Sequence, residues 1–508
     1  MNRRNFIKIS SSLSLLPFLV SSCVKKDENI NFDISLSSDM EAGHLIFSSE
    51  SWDSIYIKEL DYLIVGGGIA GLSAAKKLEN EDFILFELGS KIGGSSSSEK
   101  YQSTLFSQGA HYDWSYPATY GKEVLHFFEK LDIIEFDKTN HLWNFRDKEF
   151  VIEGPKSQSY VKEDFHKEYL EGFEDFEAFY SIITPYLGEM HLPTRLIRND
   201  FQELNNISFQ EFLEKNGLFA HQDFLQTLSY QLIDDYGAGV ASISALAGIH
   251  YYICRPYYSK KMELFSPPQG NSYFTEKLKE GISSKIRTNH VVKKIVPKGS
   301  SFLVDVININ TKTINQYLCK NIIYAGQKHA LKYILPEQHT LFARNTYSPW
   351  VVVNIILKEP IKTDGVWQNE FPLNTENFMG FIDSNSQKKQ GKHVLSCYYC
   401  FPPEERNHLS EIKENLNNFT QNTISNLNKY FDQDISLLIE KVFIKVMGHA
   451  MPIPTKGYLL DDKNKKRLYP NLTFAGVDNG RLPLLFEAVD SGIMAVEELK
   501  NNEYRSKF

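Results

Sequence analysis

The fold is decided by the stretch DYLIVGGGIAG at residues 61–71. Its first five residues form the apolar run of a buried parallel strand, and the glycines that follow have the spacing G-x-G-x-x-G. Helical spacing continues through residues 72–78, and a second apolar run at residues 83–86 ends at Glu87. A strand, a glycine turn, a helix and a strand that ends in an acid together predict the dinucleotide-binding unit of a Rossmann-type α/β fold.

The glycines of this turn each have a physical reason. Gly66 permits the tight turn, Gly68 lets the backbone approach a pyrophosphate, and Gly71 allows close contact between helix and sheet. The free N–H groups at the start of the helix attract phosphate oxygens, and the acid that ends the second strand accepts hydrogen bonds from a ribose. The predicted dinucleotide contacts of this unit are Gly66, Gly68, Ile69, Ala70, Gly71 and Glu87.

Composition places the chain among ordinary globular proteins. Of its 508 residues, 42% are hydrophobic and 23% are charged, which excludes bulk disorder, and the length allows roughly three domains. The net charge of -8, without a long basic run, argues against a nucleic-acid partner. Aromatic residues make up 13%, which suits either a protein that encloses a sizeable organic ligand or one with a phenylalanine-rich core.

The few cysteines of the chain do not indicate a disulfide scaffold. Cys397 and Cys400 have the spacing C-x-x-C, but they lie in the apolar run of residues 393–401, which predicts a strand. Residues three apart on a strand point to opposite faces, so a reactive dithiol is not favoured. The sequence contains no metal-ligand spacing, and no metal is predicted.

The first 22 residues have the composition of an export signal. Arg3 and Arg4 precede an apolar segment at residues 9–20, which is too short to span a bilayer permanently because that takes roughly 20 residues. The pattern resembles a twin-arginine signal, and the segment VSSC before and at Cys23 resembles a lipobox, in which the cysteine is acylated. The alternative is an ordinary signal with a chance cysteine. Residues 23–58 are predicted to form a tether whose later part packs on the domain.

These N-terminal features predict a location as well as a route. We expect export by the twin-arginine machinery to the periplasm or the cell envelope, with a lipid anchor at Cys23 as the contact with the membrane. Because the twin-arginine system is known to move folded proteins, such a signal also predicts a prosthetic group that is inserted before export.

A second glycine segment follows the acid. Residues 87–95, ELGSKIGGS, resemble the segment Glu-Ala-basic-Gly-Gly-Arg of the flavin-binding oxidoreductases of the amine oxidase superfamily. Lys91 fills the basic place, whereas Ser95 stands where that superfamily often has an arginine that contacts the pyrophosphate. Residues 109–112, GAHY, are similar to a segment near the isoalloxazine, and Val292 stands at the position that meets the adenine. The resemblance adds these cofactor contacts: Leu88, Lys91, Gly94, Ser95, Gly109, Ala110, His111 and Val292.

The C-terminal residues complete this resemblance. Residues 472–478, LTFAGVD, predict a strand that ends in glycine and acid, and residues 486–499 predict a final helix. In the superfamily the acid binds the ribityl–pyrophosphate region, and the helix dipole stabilises the negative charge of the reduced flavin. Val477 separates the glycine from the acid here, so a surface aspartate is the alternative. The implied contacts are Gly476, Asp478, Glu487 and Ala488, of which Glu487 either faces the edge of the ring or caps the helix.

The resemblance implies an α/β fold of two parts that covers nearly the whole chain. The first part is a Rossmann-type FAD-binding domain of two-dinucleotide-fold architecture, made of residues 59–119, 262–345 and 441–508. The second part is an inserted α+β substrate domain, made of residues 120–261 and 346–440.

The substrate residues are less clearly indicated. Orthodox amine oxidases carry a lysine on the strand that begins here at Trp350, near the position of Val352, and two aromatic residues around the amine, near the positions of Ala450 and Leu484. This chain has neither the lysine nor the aromatic pair at those positions, so an amine substrate is less favoured than the superfamily's name implies. His449 is the predicted catalytic residue, as a general base, a substrate hydrogen bond or a flavin attachment point; the alternative is a histidine held in the core.

The resulting hypothesis is an FAD-dependent oxidoreductase that removes a hydride from a C–N or C–C bond of a small organic substrate and passes electrons to oxygen or a quinone. The alternatives are a desaturase or protoporphyrinogen-oxidase-like dehydrogenase that acts on a membrane-soluble substrate, a flavin-binding protein without turnover, and a nicotinamide enzyme. Asp234 and Asp235 form a carboxylate pair, for which a solvated helix face is the favoured interpretation.

Overall fold

The described part of the chain excludes the N-terminal segment. The computed structural model describes residues 30–48, 52–114, 116–254, 263–363, 365–374, 376–387 and 391–505. The predicted signal at residues 1–22 and the predicted lipid anchor at Cys23 lie outside the described residues. Across those ranges, no helix is long and apolar enough to cross a membrane.

A seven-stranded sheet carries the predicted dinucleotide unit. Strand Ser54–Val65 runs into the glycine turn and pairs in parallel with Phe83–Phe86 on one side and with Thr313–Tyr324 on the other. The carboxyl ends of these parallel strands meet at one edge, where ligands of such sheets bind. Across the sheet the order is Ile286–Arg287, Phe83–Phe86, Ser54–Val65, Thr313–Tyr324, Ser301–Asn308 and His290–Lys298, and Leu472–Phe474 also pairs with Thr313–Tyr324.

Two helices pack closely against each other on this sheet. Helix Ile69–Lys77 follows the glycine turn, and helix Leu485–Arg505 contains the predicted final helix and continues beyond it. Small residues permit the contact, because a Cβ at Gly492 would lie 2.3 Å from the carbonyl oxygen of Ala70. Apolar side chains such as Leu72 fill the space between helices and sheet.

An eight-stranded sheet forms the second part of the fold. Its central strand, Tyr347–Leu357, is buried along its whole length, because both of its faces are covered. Helices His408–Glu414 and Leu416–Phe431 contribute to the apolar core on one face. The order of strands is Asp33–Ser38, Ile439–Pro452, Tyr347–Leu357, Val394–Cys400, Phe378–Asp383, Val366–Glu370, Lys156–Val161 and Asp164–His166.

The remaining elements are mainly helical. Aromatic side chains such as Phe179, Phe209 and Phe224 form the core of a helical lobe. Ser208 begins one of its helices with a capping box, in which the Ser208 Oγ accepts the backbone N–H of Glu211 at 3.1 Å. The helices of this lobe are Phe176–Ile183, Phe209–Lys215, Gln222–Tyr236 and Ala245–Ile253; Lys122–Lys130 and Ser272–Lys279 pack nearer the seven-stranded sheet.

The structure corrects the prediction of a tether for residues 33–38, whereas residues 23–29 and 49–51 lie outside the described residues and the later part of the segment was predicted to pack on the domain. Strand Asp33–Ser38 pairs in parallel with residues 441–446 at the edge of the eight-stranded sheet, and Ile34 packs on its core. Residues 54–58 are the first part of the long strand of the other sheet. Apolar side chains at alternating positions explain the difference, since such a segment gains free energy by pairing at a sheet edge.

The predicted boundary at residue 441 also needs correction. Residues 441–452 were assigned by resemblance to the FAD-binding domain, but strand Ile439–Pro452 belongs to the eight-stranded sheet. Its alternate residues Val442, Ile444 and Val446 are buried in the core of that sheet. Hydrogen-bonded pairing with Tyr347–Leu357 on one side and with Asp33–Ser38 on the other holds the segment in that sheet.

Candidate functional site

A cavity of about 840 Å³ is lined by residues from both sheets. The volume lies in the range of natural cofactor and ligand sites. The early glycine turn and the late acid-plus-helix segment, some four hundred residues apart in sequence, therefore meet at one site. The predicted site residues that line it are Gly66, Gly68, Ile69, Ala70, Glu87, Leu88, Gly94, Ser95, Gly109, Ala110, His111, Val292, His449, Gly476, Asp478 and Ala488.

Three predicted contacts do not line this cavity. Gly71 lies behind the turn, where an added Cβ would be 1.9 Å from the carbonyl oxygen of Gly66, so its role is to permit close packing. The Nζ of Lys91 is held 2.6 Å from the Oε2 of Glu99 at the surface. Glu487 is buried instead and accepts the backbone N–H of Thr194 at 2.6 Å. Lys91 and Glu487 are thus bound to other protein groups rather than facing the cavity.

The two glycine segments dock on each other beside the cavity. The backbone N–H of Gly93 donates to the carbonyl of Gly67 at 2.8 Å. Gly68, by contrast, has no other atom within 4 Å of the place that a Cβ would occupy. A φ of -73° allows any side chain at Gly68. The space in front of it is therefore the natural place for a ligand's phosphates, next to the start of helix Ile69–Lys77.

Glu87 is fixed at the cavity wall by backbone donors. Its Oε2 accepts the N–H of Gly67 at 2.7 Å, and its Oε1 accepts the N–H of Gly89 at 2.8 Å. Burial raises the pKa of the Glu87 carboxyl, and these two N–H groups oppose that rise. Glu87 and Val292 both line the cavity, and the backbone N–H of His290, two residues before Val292, donates to the Glu87 carbonyl at 2.9 Å.

Asp478 lines the cavity from the opposite side, and it is not a surface aspartate. Its carboxylate accepts three hydrogen bonds, from the Nζ of Lys328 at 2.7 Å, from the backbone N–H of Lys328 at 2.9 Å and from the hydroxyl of Tyr347 at 3.0 Å. Lys328 is fully buried. The sequence motif gave no sign of this lysine, because the pair joins residues 150 positions apart.

His449 is stacked on a second histidine that the sequence did not indicate. The ring centroids of His329 and His449 are 3.7 Å apart with an interplanar angle of 16°. Burial lowers the pKa of His449 to about 3 and that of His329 to about 4. An imidazole with so low a pKa is neutral at physiological pH and accepts a proton weakly. The geometry favours hydrogen bonding over general-base catalysis, and a catalytic role for His449 stays a prediction.

This histidine pair makes the stability of the protein depend on pH. Both pKa values are lowered from the ordinary value of 6.5, so the unfolded chain takes up protons first as the pH falls. We expect stability to be full above pH 6.5 and to fall towards pH 4 by up to about 1.4 kcal/mol per pH unit for each histidine. Urea unfolding at several pH values measures this slope. The variant H329Q/H449Q is expected to have a shallower slope, and an unchanged slope would contradict the assignment.

Aromatic side chains from the eight-stranded sheet line the cavity near residues 109–112. The hydroxyl of Tyr398 donates to the carbonyl of Gly109 at 3.1 Å and contacts the Nδ1 of His111. Trp350 stands edge-on to Tyr398 with ring centroids 5.9 Å apart. Ala450 and Leu484, where the resemblance located the aromatic pair, line the cavity too, but its aromatic walls come from other positions.

Carboxylates line the cavity at several places. Asp234 and Asp235 of helix Gln222–Tyr236 line it and are half-buried, so the interpretation as a solvated helix face was wrong. A neighbouring pocket of about 130 Å³ is lined by the same two aspartates and by Glu370. Burial and the charge of Asp234 raise the pKa of Glu370 to about 7. Asp39 and Glu87 line the cavity beside the glycine segments.

The N-terminal segment that was predicted as a tether also contributes to the site. Asp39, Met40, His44 and Phe47 line the cavity, beside the residues that follow the strands of the seven-stranded sheet. Sequence motifs gave no reason to expect these contacts. In the described ranges, no cluster of ligating side chains could hold a metal ion.

Known proteins resemble this chain in fold over most of its length and in sequence over a short segment. Residues 64–131 match the family of the NAD(P)-binding Rossmann-like domain. A candidate protoporphyrinogen oxidase from Exiguobacterium sp. 255-15 is similar, with 14% identity and a TM-score of 0.63 over 89% of this chain and 100% of that chain. No curated protein matches the chain.

Two solved amine oxidases are similar to the same extent. Putrescine oxidase bound to putrescine has 12% identity and a TM-score of 0.62, covering 88% of this chain and 100% of that chain. Cyclohexylamine oxidase from Brevibacterium oxydans IH-35A has 13% identity and a TM-score of 0.61, with the same coverage. The chain thus contains an NAD(P)-binding Rossmann-like domain within a mixed α/β fold. It shares that fold with the solved amine oxidases.

Proposed function

We propose that the chain is an FAD-dependent oxidoreductase of the amine oxidase type, which removes a hydride from a C–N or C–C bond of a small organic substrate. One observation carries the proposal: a single cavity joins the glycine turn, the segment at residues 109–112 and the start of the helix Leu485–Arg505. A nicotinamide dinucleotide also extends beyond its phosphates, and FAD is favoured over it by the resemblance at residues 87–95, 109–112 and 472–488 and by the fold shared with the solved amine oxidases. Bound FAD supplies the hydride acceptor.

The residues of the cavity fit the chemical groups of FAD. Gly68 leaves room for the pyrophosphate at a helix N-terminus, and Glu87 is oriented for a ribose. Val292 lines the same end and is the proposed neighbour of the adenine. At the other end, Ala488 lies in the first turn of the last helix, whose dipole favours negative charge on a reduced flavin.

An amine is the substrate class that the aromatic and acidic lining residues support. Trp350 and Tyr398 present aromatic surfaces that attract a cation, and the carboxylates of Asp234 and Asp235 line the same cavity. These residues offset the missing aromatic pair of the superfamily. The protein's own groups orient the C–H bond and exclude water, which is the main contribution required in this reaction type.

A second candidate is a dehydrogenase for a membrane-soluble substrate. Apolar side chains support it, because Met379, Phe381, Ile382, Met447 and Met451 line the cavity as well. A desaturase or protoporphyrinogen-oxidase-like reaction uses such a surface for a large apolar molecule. In either reaction oxygen or a quinone is the proposed electron acceptor, and the sequence-based proposal of export with a lipid anchor is compatible with a quinone.

Anaerobic substrate screening distinguishes these candidates. We expect the purified holoprotein to show oxidised flavin absorbance, and diamines or alkylamines to bleach it, because the aromatic and carboxylate side chains that line the cavity attract a cation. Bleaching by isoprenoid or tetrapyrrole compounds, with all amines inactive, would support the second candidate. Flavin that no compound reduces would indicate a binding protein without turnover and would contradict the proposal.

A further inference from the structure

A buried lysine faces the cavity without a carboxylate partner. Lys445 lies on strand Ile439–Pro452, lines the cavity and is 8% exposed. Its Nζ donates to the hydroxyl of Ser97 at 2.6 Å, and within the described ranges it forms no ion pair. A neutral hydroxyl does not offset the cost of burying a cation.

The neighbours of Lys445 place it beside the two glycine segments. The backbone N–H of Ser97 donates to the carbonyl of Gly94 at 3.3 Å. A Cβ at Gly94 would in turn lie 3.7 Å from the Cα of Gly68. The ammonium group is therefore linked through Ser97 and Gly94 to the backbone that the dinucleotide turn presents to a pyrophosphate.

Neither position at which the resemblance implies a cationic contact supplies a cation to the cavity beside the glycine turn. Ser95 stands where the resemblance has an arginine, and it carries no charge. Lys91, the other predicted contact, is bound to Glu99 outside the cavity lining. The pyrophosphate of a dinucleotide carries two negative charges, and the turn offers only backbone donors to them.

We propose that Lys445 is the cation that binds the pyrophosphate of the dinucleotide, in the place of the arginine that is missing at Ser95. This inference rests on the proposed FAD site. The ammonium group forms a charge-assisted hydrogen bond with a phosphate oxygen, which is stronger than a hydrogen bond between neutral groups. Because Lys445 belongs to the eight-stranded sheet, the bond also ties that sheet to a cofactor held by the other one.

Electrostatics agree with this role. Burial lowers the pKa of Lys445, and the charges of Asp39 and Glu87 only partly oppose that effect. An anion bound beside the Lys445 ammonium group raises the pKa of Lys445 again and restores its charged form. The lysine therefore destabilises the protein without cofactor and stabilises the protein with cofactor, which are effects of opposite sign.

The test uses three variants of the full protein, stripped of flavin and titrated with FAD and with ADP. K445M is expected to bind both ligands about 10- to 100-fold more weakly, the size of effect for one lost charge-assisted hydrogen bond. K445R keeps the charge and is expected to retain most of the affinity. K91M is the matched control, because it removes the lysine that the motif indicated, and its affinity is expected to change less than about 2-fold.

Thermal unfolding separates a ligand contact from a structural role. We expect K445M without flavin to melt at the wild-type temperature or above it, since removal of an unpaired buried charge is neutral or stabilising. With flavin it should melt below the wild-type holoprotein. A K445M protein that fails to fold, or that binds FAD as tightly as wild type, overturns the inference. A wild-type protein that binds neither ligand overturns the proposed function instead.

Discussion

Gly68→Val is expected to fold normally and to carry no FAD. The backbone at Gly68 has a φ of -73° and no atom within 4 Å of a Cβ, so the fold accepts a larger residue. The new side chain would project into the space proposed for the pyrophosphate and block its approach to the backbone. Flavin absorbance per chain after native purification measures the effect, and we expect a loss of more than about 100-fold in affinity, equivalent to about 3 kcal/mol.

Two other glycines provide controls for this substitution. Gly172→Val makes the same change at an exposed turn away from the cavity, and flavin content should stay at the wild-type value. Gly71→Ala should instead destabilise the fold, because a Cβ there would lie 1.9 Å from the carbonyl oxygen of Gly66. Retention of flavin by Gly68→Val would show that the turn does not hold a dinucleotide.

Asp478→Ala is expected to cost about 3–5 kcal/mol of unfolding free energy in the protein without flavin. The substitution leaves the fully buried ammonium group of Lys328 without its carboxylate, which now lies 2.7 Å away. Burial already lowers the pKa of Lys328, and loss of the carboxylate removes the main opposing effect. Denaturant unfolding of the apoprotein measures the loss without interference from cofactor binding.

A second substitution tests whether the loss arises from the unpaired charge. Lys328→Met combined with Asp478→Ala removes both charges and should recover most of the stability. Asp61→Ala is the matched control, because the exposed pair of Asp61 and Lys320 has the same separation of 2.7 Å. Its loss should stay below about 1 kcal/mol. Equal losses at the two aspartates would contradict the account of the buried pair.

The dinucleotide unit was predictable because it is local. Its strand, turn, helix and second strand follow one another within residues 61–87, and the reason for each motif glycine, which is a tight turn, the approach of a ligand or close packing, can be stated from the sequence. The C-terminal strand Leu472–Phe474 and the final helix were predicted for a similar reason. The structure adds that these two stretches share one cavity.

The errors concern residues whose environment depends on distant pairing. Strand Asp33–Ser38 forms only by pairing with residues about four hundred positions later, so its sequence alone resembled a tether. Asp234 is on a helix with an ordinary amphipathic pattern. It lines the cavity because the fold brings the strand that carries Gln368 opposite this helix, where the Nε2 of Gln368 donates to the Asp234 carboxylate. The resemblance implied an aromatic pair near Ala450 and Leu484, so it did not predict that Trp350 and Tyr398 form the aromatic lining of the cavity.

Lys445 illustrates the same limit most clearly. The strand around Val352 contains no lysine, yet Lys445 is the direct partner of Val352 on the adjacent strand. No sequence spacing relates Lys445 to the glycine turn, because the pairing of strands in the eight-stranded sheet brings Lys445 to the cavity. A cation that serves a cofactor can therefore come from any strand that the fold brings to the site.

A crystal structure of the natively purified protein would show whether the glycine turn and the C-terminal helix hold the same dinucleotide. We expect one FAD molecule per chain, with its pyrophosphate at Gly68 and its flavin ring near Ala488 and residues 109–112. A structure in which these residues surround no common ligand, or in which a nicotinamide dinucleotide occupies the cavity, would contradict this expectation.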